Sequence, residues 1–243
     1  MGKIIALTGA KGGCGNTSLT AALGRALAER GKTVCLVDGC IGLRGLDIAL
    51  GVQDRVVFDL ADLSEELCTM EQALVELDFP GFYFVSAPQM EPEEKRLFKG
   101  PLSRLVKRFD WILVDAPSAM SSWGTEICAL ADRIILTSRP GDMAARNAER
   151  ISSLLRERAE APIDLAINFY SARQAAAGEA AAPDAVAAYL DLPLLGLIPQ
   201  YGQNGPDVFP EKALPYVREM AARLAGEDIP LTIPRERRFS WLS

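Results

Sequence analysis

Seven short apolar runs recur along the chain, and apolar positions at helical spacing separate them. Most of the runs are continuous rather than alternating, which is typical of strands buried on both faces. They lie at residues 3–8, 33–38, 82–87, 111–116, 133–138, 164–168 and 194–199. The segments between them predict helices at residues 18–30, 67–76, 91–108, 142–158, 183–190 and 211–224.

This alternation predicts an α/β fold with a doubly wound, mostly parallel sheet and helices on both faces. Ligands of such folds bind beyond the carboxyl ends of the strands. Because no linker divides the first part of the chain, residues 1–226 are expected to form one domain. The strand–helix rhythm stops after residue 226, so residues 227–243 are interpreted as a C-terminal tail.

Composition narrows the possible functions. The net charge of −6 disfavours nucleic-acid binding, which needs a basic face. The chain has no histidine, which excludes histidine-based catalytic triads and the commonest zinc sites. Five scattered cysteines without a C-x-x-C pair, together with no signal peptide and no apolar run of membrane-span length, predict a cytoplasmic protein with reduced thiols.

A glycine-rich loop follows the first predicted strand and precedes the first predicted helix, and it reads AKGGCGNTS at residues 10–18. Gly12, Gly13 and Gly15 allow consecutive backbone N–H groups to curl around an anion, next to the positive end of the helix. This strand–loop–helix context favours a phosphate-binding loop over a glycine turn that merely connects two elements.

The identity of the loop depends on three further positions. Lys11 directly precedes the glycines, as in the deviant Walker A pattern K-G-G-x-G-K-[ST], and Thr17 stands where a hydroxyl ligates Mg²⁺. Asn16 occupies the position of the usual second lysine. Its neutral amide donates hydrogen bonds but carries no charge, and the loss could weaken triphosphate binding by roughly ten- to a hundredfold.

The loop, VDGCIGLRGLDIALG at residues 37–51 and VDAP at residues 114–117 together resemble the MinD family, in the ParA/MinD class of deviant Walker A P-loop ATPases. The resemblance extends from residue 3 to about residue 224. It implies a sheet of seven or eight strands, binding of ATP or ADP with Mg²⁺, and a nucleotide-dependent homodimer. It also implies a role in placing the cell-division site, a protein partner of the MinC or MinE kind, and peripheral contact with the inner face of the cell membrane.

The same resemblance assigns roles to individual residues. Lys11 matches the signature lysine that reaches the partner's nucleotide, and Asp38 matches the switch I aspartate near Mg²⁺. Asp115 matches the Walker B aspartate that holds a magnesium-bound water. Asn168 matches the asparagine that recognises adenine, and Pro199 lies in the segment that matches the loop beside the base. The phosphate-binding positions implied are Gly12, Gly13, Cys14, Gly15, Asn16, Thr17 and Ser18, and the metal positions are Thr17, Asp38 and Asp115.

Two departures bear on catalysis. Cys40 stands where the family has an aspartate that positions the attacking water, and a neutral thiol is a poor substitute for that carboxylate. With Asn16 also changed, the sequence predicts a pseudo-ATPase, with turnover very slow or absent. Two alternatives stay open: an interaction module that no longer binds nucleotide, and a MinD-like ATPase of the flagellar-number-regulator type.

The C-terminal tail joins basic and apolar side chains, at Arg237, Arg238, Phe239, Trp241 and Leu242. This combination on an acidic protein predicts an interfacial membrane anchor. Because the helical geometry is poor, one copy is expected to bind lipid weakly, whereas two copies in a dimer would gain avidity. Packing of the tail on its own domain is an equal alternative.

Overall fold

The computed structural model of the chain describes residues 1–92, 97–200 and 210–234. The described residues form an eight-stranded sheet in the order β3-β4-β2-β5-β1-β6-β7-β8, in which β3 is antiparallel to β4 and every other pair is parallel. All seven predicted strands are confirmed. The strands are β1 Lys3–Gly9, β2 Val34–Asp38, β3 Val75–Glu76, β4 Phe82–Val85, β5 Trp111–Asp115, β6 Arg133–Ser138, β7 Ile163–Tyr170 and β8 Leu194–Pro199.

Helices lie between the strands, with short 3₁₀ turns at Gln53–Arg55 and Glu211–Ala213. The helices are α1 Asn16–Ala28, α2 Gly45–Leu50, α3 Leu60–Ser64, α4 Met70–Ala73, α5 Lys99–Leu105, α6 Ser122–Leu130, α7 Asp142–Arg158, α8 Ala172–Ala176, α9 Pro183–Leu190 and α10 Leu214–Leu224. The predicted bounds of α7 and α9 agree with the structure, and those of α1 and α10 agree to within three residues.

Two helix predictions were too long. The helix predicted at 67–76 shrinks to α4, which Thr69 caps, and the chain then enters β3 because Val75 pairs with Phe84 and is buried. Within the range predicted as a helix at 91–108, the described residues form a helix only at α5. Four helices that the pattern did not predict, α2, α3, α6 and α8, have at most nine residues each and so carry little periodicity.

Each face of the sheet has its own apolar core, because side chains alternate along each strand. On β1, Ile5 and Leu7 pack with α1 and α10, whereas Ile4 and Ala6 pack with α5, α6, α7 and α9 on the opposite face. The predicted doubly wound α/β fold is therefore confirmed. The parallel order brings the carboxyl ends of β1, β2 and β5 to one edge of the sheet.

Residues 227–234 follow α10 and are hydrogen-bonded to side chains of that helix. Arg223 donates hydrogen bonds to the carbonyls of Ile229 and Pro230, and Thr232 donates to Glu219. The boundary at residue 226 stays a prediction, and the five side chains proposed as a membrane anchor lie outside the described residues. Within the described part of the chain, no helix combines the length and the apolar character needed to cross a bilayer.

Candidate functional site

The predicted site residues converge at the carboxyl edge of the sheet. Asp38 ends β2 and Asp115 ends β5, and the two residues are direct partners in the parallel register. Leu7, close to the end of β1, is the partner of Asp115 on the other side. The sheet thus places two carboxylates next to the loop that leaves β1.

That loop has the geometry of an anion cradle. Gly13 and Gly15 adopt the left-handed conformation, with φ of 78° and 77°. Gly12 and Gly13 are exposed, and a Cβ added at either would meet no atom within 4 Å. Among the described residues, helix α1 begins without a side-chain cap and without an acidic residue in its first turn, so no capping side chain occupies its first amides. Backbone N–H groups at a helix N-terminus attract anions.

The side chains of the loop differ in their exposure. Lys11 is exposed, Ser18 is half-buried, and Cys14 is buried beneath the loop. Burial raises the pKa of the Cys14 thiol, which therefore stays protonated at neutral pH. Cys14 takes part through its main chain, because its carbonyl accepts a hydrogen bond of 3.0 Å from Asn168 Nδ2.

The Asn16 side chain faces inward, under the loop. Its Nδ2 donates to the Leu7 carbonyl and to Asp115 Oδ1, each at 2.7 Å, and approaches the Ala116 carbonyl at 3.4 Å. Its Oδ1 accepts a hydrogen bond of 3.0 Å from the hydroxyl of Thr137. An amide nitrogen has two N–H groups, and both are used here. Asn16 therefore offers an anion its backbone N–H, while its side chain joins β1, β5 and β6.

The two carboxylates are deeply buried, at 0% exposure for Asp38 and 1% for Asp115. Asp38 accepts hydrogen bonds from the backbone N–H groups of Cys40 and Leu46, at 2.8 and 3.1 Å. Burial nevertheless raises the pKa of Asp38 to about 6. Burial likewise raises the pKa of Asp115 to about 7; Thr17 and Asn16 act against this rise, and the charge of Asp38 adds to it.

Cys40 completes a cluster with these carboxylates. One ligand atom from each of Asp38, Cys40 and Asp115 lies within 4.8 Å of the other two. The Cys40 thiol donates to the Asp115 backbone carbonyl at 3.7 Å. Asp115 Oδ2 is buried and, among the described residues, has no hydrogen-bond partner. An orphaned buried carboxylate oxygen beside a second carboxylate fits a divalent cation, which would be held by Asp38, Asp115 and the Thr17 hydroxyl.

Asn168 and Pro199 lie on the other side of the loop. Asn168 is buried near the end of β7, and its Nδ2 is only 2.4 Å from where a Cβ on Gly15 would be. The loop approaches β7 so closely because residue 15 has no side chain. Pro199 ends β8 opposite Tyr170. The role of Asn168 and Pro199 in binding adenine stays a prediction.

Two features of the site were not predicted from the sequence. Thr137, a fully buried polar residue near the end of β6, orients Asn16 from 121 positions away. Phe169 has a positive φ of 59°, and the Arg139 guanidinium stacks on its ring at 4.4 Å from the centroid, next to Gly15. No sequence signal identifies Thr137, because the run at 133–138 also contains the polar residues Arg133 and Ser138.

Comparisons with known proteins agree with this geometry. The model of the family "Cellulose biosynthesis protein BcsQ" matches residues 2–173. The chain is 32% identical to the septum site-determining protein MinD of Bacillus subtilis over 255 aligned positions, which cover 98% of this chain and 94% of that protein. It is 31% identical to the MinD of Synechocystis, covering 95% of this chain and 92% of the relative.

Solved structures agree as well. A chain of the MinC:MinD cell division protein complex of Aquifex aeolicus has a TM-score of 0.86 and 28% identity, covering 95% of this chain and 98% of that chain. MinD of Pyrococcus horikoshii, complexed with Mg-ADP, has a TM-score of 0.78 and 26% identity, covering 93% and 98% of the two chains. The chain thus belongs to the MinD family, within the ParA/MinD class of P-loop ATPases.

Proposed function

We propose that the protein is a nucleotide-dependent spatial regulator of the MinD kind, which binds ATP or ADP with a divalent cation and acts in placing the cell-division site. The observation that carries this proposal is the open amide cradle. Gly12 and Gly13 are exposed, the first amides of α1 are uncapped, and the side chain of Asn16 faces away from the cradle. A polyphosphate can therefore approach the main chain without displacing a side chain of the protein.

The affinity of this loop for ATP is expected to be lower than that of a loop with two lysines. Hydrogen bonds to charged groups contribute about 1.5–3 kcal/mol, and the Asn16 amide has no N–H left for a phosphate. Lys11 is exposed and free to approach a phosphate or, as in the family, the nucleotide of a second subunit. We therefore expect ATP to bind roughly ten- to a hundredfold more weakly than to a loop with two lysines.

Hydrolysis is proposed to be very slow or absent. A water attacks a phosphate efficiently when a carboxylate orients it, and the thiol of Cys40 stands at the position of that carboxylate. Burial and the neighbouring carboxylates raise the pKa of the Cys40 thiol, so the group is neutral at physiological pH. A protein that binds ATP without rapid turnover would remain in its ATP-bound state until the nucleotide dissociates.

The proposed partners follow from the relatives. The Aquifex aeolicus structure is a complex of MinC with MinD, which supports a partner of the MinC kind. A homodimer formed around nucleotide, with Lys11 crossing between subunits, is part of the proposal, as is weak peripheral membrane contact through Phe239, Trp241 and Leu242. We place these activities in the cytoplasm.

A second candidate is an interaction module that uses the fold without nucleotide. It is favoured by the Asn16 network, in which one side chain of the protein itself pairs with the Leu7 carbonyl, Asp115 Oδ1 and the Thr137 hydroxyl behind the loop. The two candidates differ in what the double reversion Asn16→Lys with Cys40→Asp would do. If the protein is an interaction module, the reversion would leave its affinity for the protein partner unchanged. If it is a nucleotide-dependent regulator, the reversion would make that affinity depend more strongly on ATP.

Two roles related to the first candidate share its nucleotide chemistry. The family model that matches residues 2–173 describes a cellulose biosynthesis protein, and the flagellar-number regulators carry a similar motif after the second strand. Genes adjacent to this one would distinguish a role in division from a role at another cellular location.

The experiment for the nucleotide proposal is an equilibrium titration of the full chain with fluorescently labelled ATP and a divalent cation. We expect saturable binding with one nucleotide per chain. The matched control is Gly13→Pro, which removes an amide from the cradle at a position where φ is positive. No binding to the native chain at millimolar nucleotide would end the proposal.

A further inference from the structure

The cluster of Asp38, Cys40 and Asp115 has an unusual set of donor atoms. Its three ligand atoms, two carboxylate oxygens and one sulfur, lie within 4.8 Å of one another. Asp38 and Asp115 are buried, and Cys40 is half-buried with its sulfur 3.7 Å from the Asp115 carbonyl. Three donors at these separations can approach a single cation with small side-chain movements.

A second observation shows that the cluster lacks a positive partner. Asp115 Oδ2 accepts no hydrogen bond, and neither Asp115 nor Asp38 makes an ion pair within the part of the chain that the structure describes. Buried carboxylates are costly unless they are paired, protonated or bound to a metal. The unpartnered oxygen therefore points to a ligand that carries positive charge.

The sulfur determines which cation fits. Mg²⁺ is a hard cation that takes oxygen ligands in near-octahedral geometry and retains several waters. Thiolates favour softer cations, and Zn²⁺ is commonly bound by a mixture of cysteine and carboxylate or imidazole ligands. An aspartate at position 40 would complete an all-oxygen set suited to Mg²⁺, whereas Cys40 turns the set toward a thiophilic cation.

We propose that Asp38, Cys40 and Asp115 form a binding site for a thiophilic divalent cation of the Zn²⁺ class. The inference deepens the proposed function, because the hydrogen bond between Asn16 and Asp115 joins the cluster to the phosphate loop. Binding of the cation itself rests on the three donors and needs no nucleotide. The thiol loses its proton when it binds, so the affinity rises with pH.

The test titrates the metal-free full chain with Co²⁺, without nucleotide, and follows absorption. Thiolate coordination to Co²⁺ gives a near-ultraviolet charge-transfer band that oxygen ligands do not give. We expect a band that saturates at one Co²⁺ per chain and disappears when Zn²⁺ is added. Cys40→Ser should abolish the band and weaken Zn²⁺ binding by at least about tenfold.

Three further variants distinguish a site built from these three side chains from cation binding elsewhere on the chain. Cys68→Ser, at another half-buried cysteine, is the matched control and should keep the band unchanged. Asp115→Asn, which retains the thiol, should weaken Zn²⁺ binding by about tenfold or more, as expected for a site with several ligands. Cys40→Asp should remove the band and shift the ratio of Zn²⁺ to Mg²⁺ affinity toward Mg²⁺.

The proposal is overturned if the native chain shows no thiolate band, or if the band survives in Cys40→Ser. It is equally overturned if Zn²⁺ affinity is the same in the native chain and in Cys40→Ser, with far-ultraviolet circular dichroism confirming that the variant is folded. Titrations with labelled ATP distinguish the two proposals. ATP binding without a thiolate band would leave the nucleotide function standing alone, and a band without ATP binding would leave the metal site standing alone.

Discussion

Replacing Asp115 with asparagine tests whether the buried carboxylates make the fold sensitive to pH. The side chain is 1% exposed, and burial raises its pKa from an ordinary 3.8 to about 7. Because the folded state holds the proton more tightly than the unfolded state, this group contributes most stability at low pH. That contribution is lost as the pH rises toward the folded pKa of about 7.

The size of the effect follows from the pKa. A difference of one unit between the unfolded and folded pKa corresponds to about 1.4 kcal/mol. Raising the pH from about 5 to about 8 should therefore lower the free energy of unfolding of the native chain by on the order of 3 kcal/mol. Asp115→Asn removes the charge, and its side-chain carbonyl can still accept the hydrogen bond from Asn16. The variant should therefore gain stability relative to the native chain as the pH rises.

The assay is urea unfolding of the native chain and the variant at a series of pH values from about 5 to about 8, with a chelator present to remove divalent cations. Asp54→Asn, at an exposed carboxylate, is the matched control and should follow the native chain. If the free-energy difference between the native chain and Asp115→Asn stays constant from about pH 5 to about pH 8, the reasoning about burial of this carboxylate is wrong.

Further predictions concern the phosphate loop. Asn16→Ala leaves Asp115 Oδ1 without its amide donor and should lower the free energy of unfolding by about 1–3 kcal/mol, measured by urea denaturation. Asn16→Lys should tighten ATP binding by roughly ten- to a hundredfold in calorimetric titrations; unchanged affinity would show that the lost cation is not the limiting factor. Gly15→Ala places a Cβ 2.4 Å from Asn168 Nδ2 at a positive φ and should destabilise the chain by about 1–3 kcal/mol, whereas Gly12→Ala, with open space around it, should change stability by less than about 1 kcal/mol. Equal thermal midpoints for the two alanine variants would contradict this account of the loop.

The strands could be predicted from the sequence because a parallel strand buried on both faces reads as an uninterrupted apolar run. β3 could not, since two residues carry no pattern and Val75 acquires its role by pairing with Phe84. α6 was missed because its buried face consists largely of Gly124, Ile127 and Cys128, and glycine gives no hydrophobic signal.

The location of the site was predictable, whereas its internal contacts were not. Asp38 and Asp115 each end an apolar run, and parallel topology brings such ends together. The sequence shows that Asn16 replaces a lysine, but the direction of its side chain depends on Thr137 and Asp115, which lie 121 and 99 positions away. Such long-range hydrogen bonds do not affect the spacing of apolar and polar residues in the sequence, so the pattern cannot predict them.

The backbone amides of the loop are proposed to bind polyphosphate although the Asn16 side chain is engaged elsewhere. A crystal structure of the full chain grown with ATP and a divalent cation would show whether they do. We expect phosphate density against the amides from Gly13 to Thr17, with Asn16 Nδ2 still bonded to Asp115. A loop without phosphate density at millimolar ATP, or an Asn16 side chain rotated into the cradle, would contradict it.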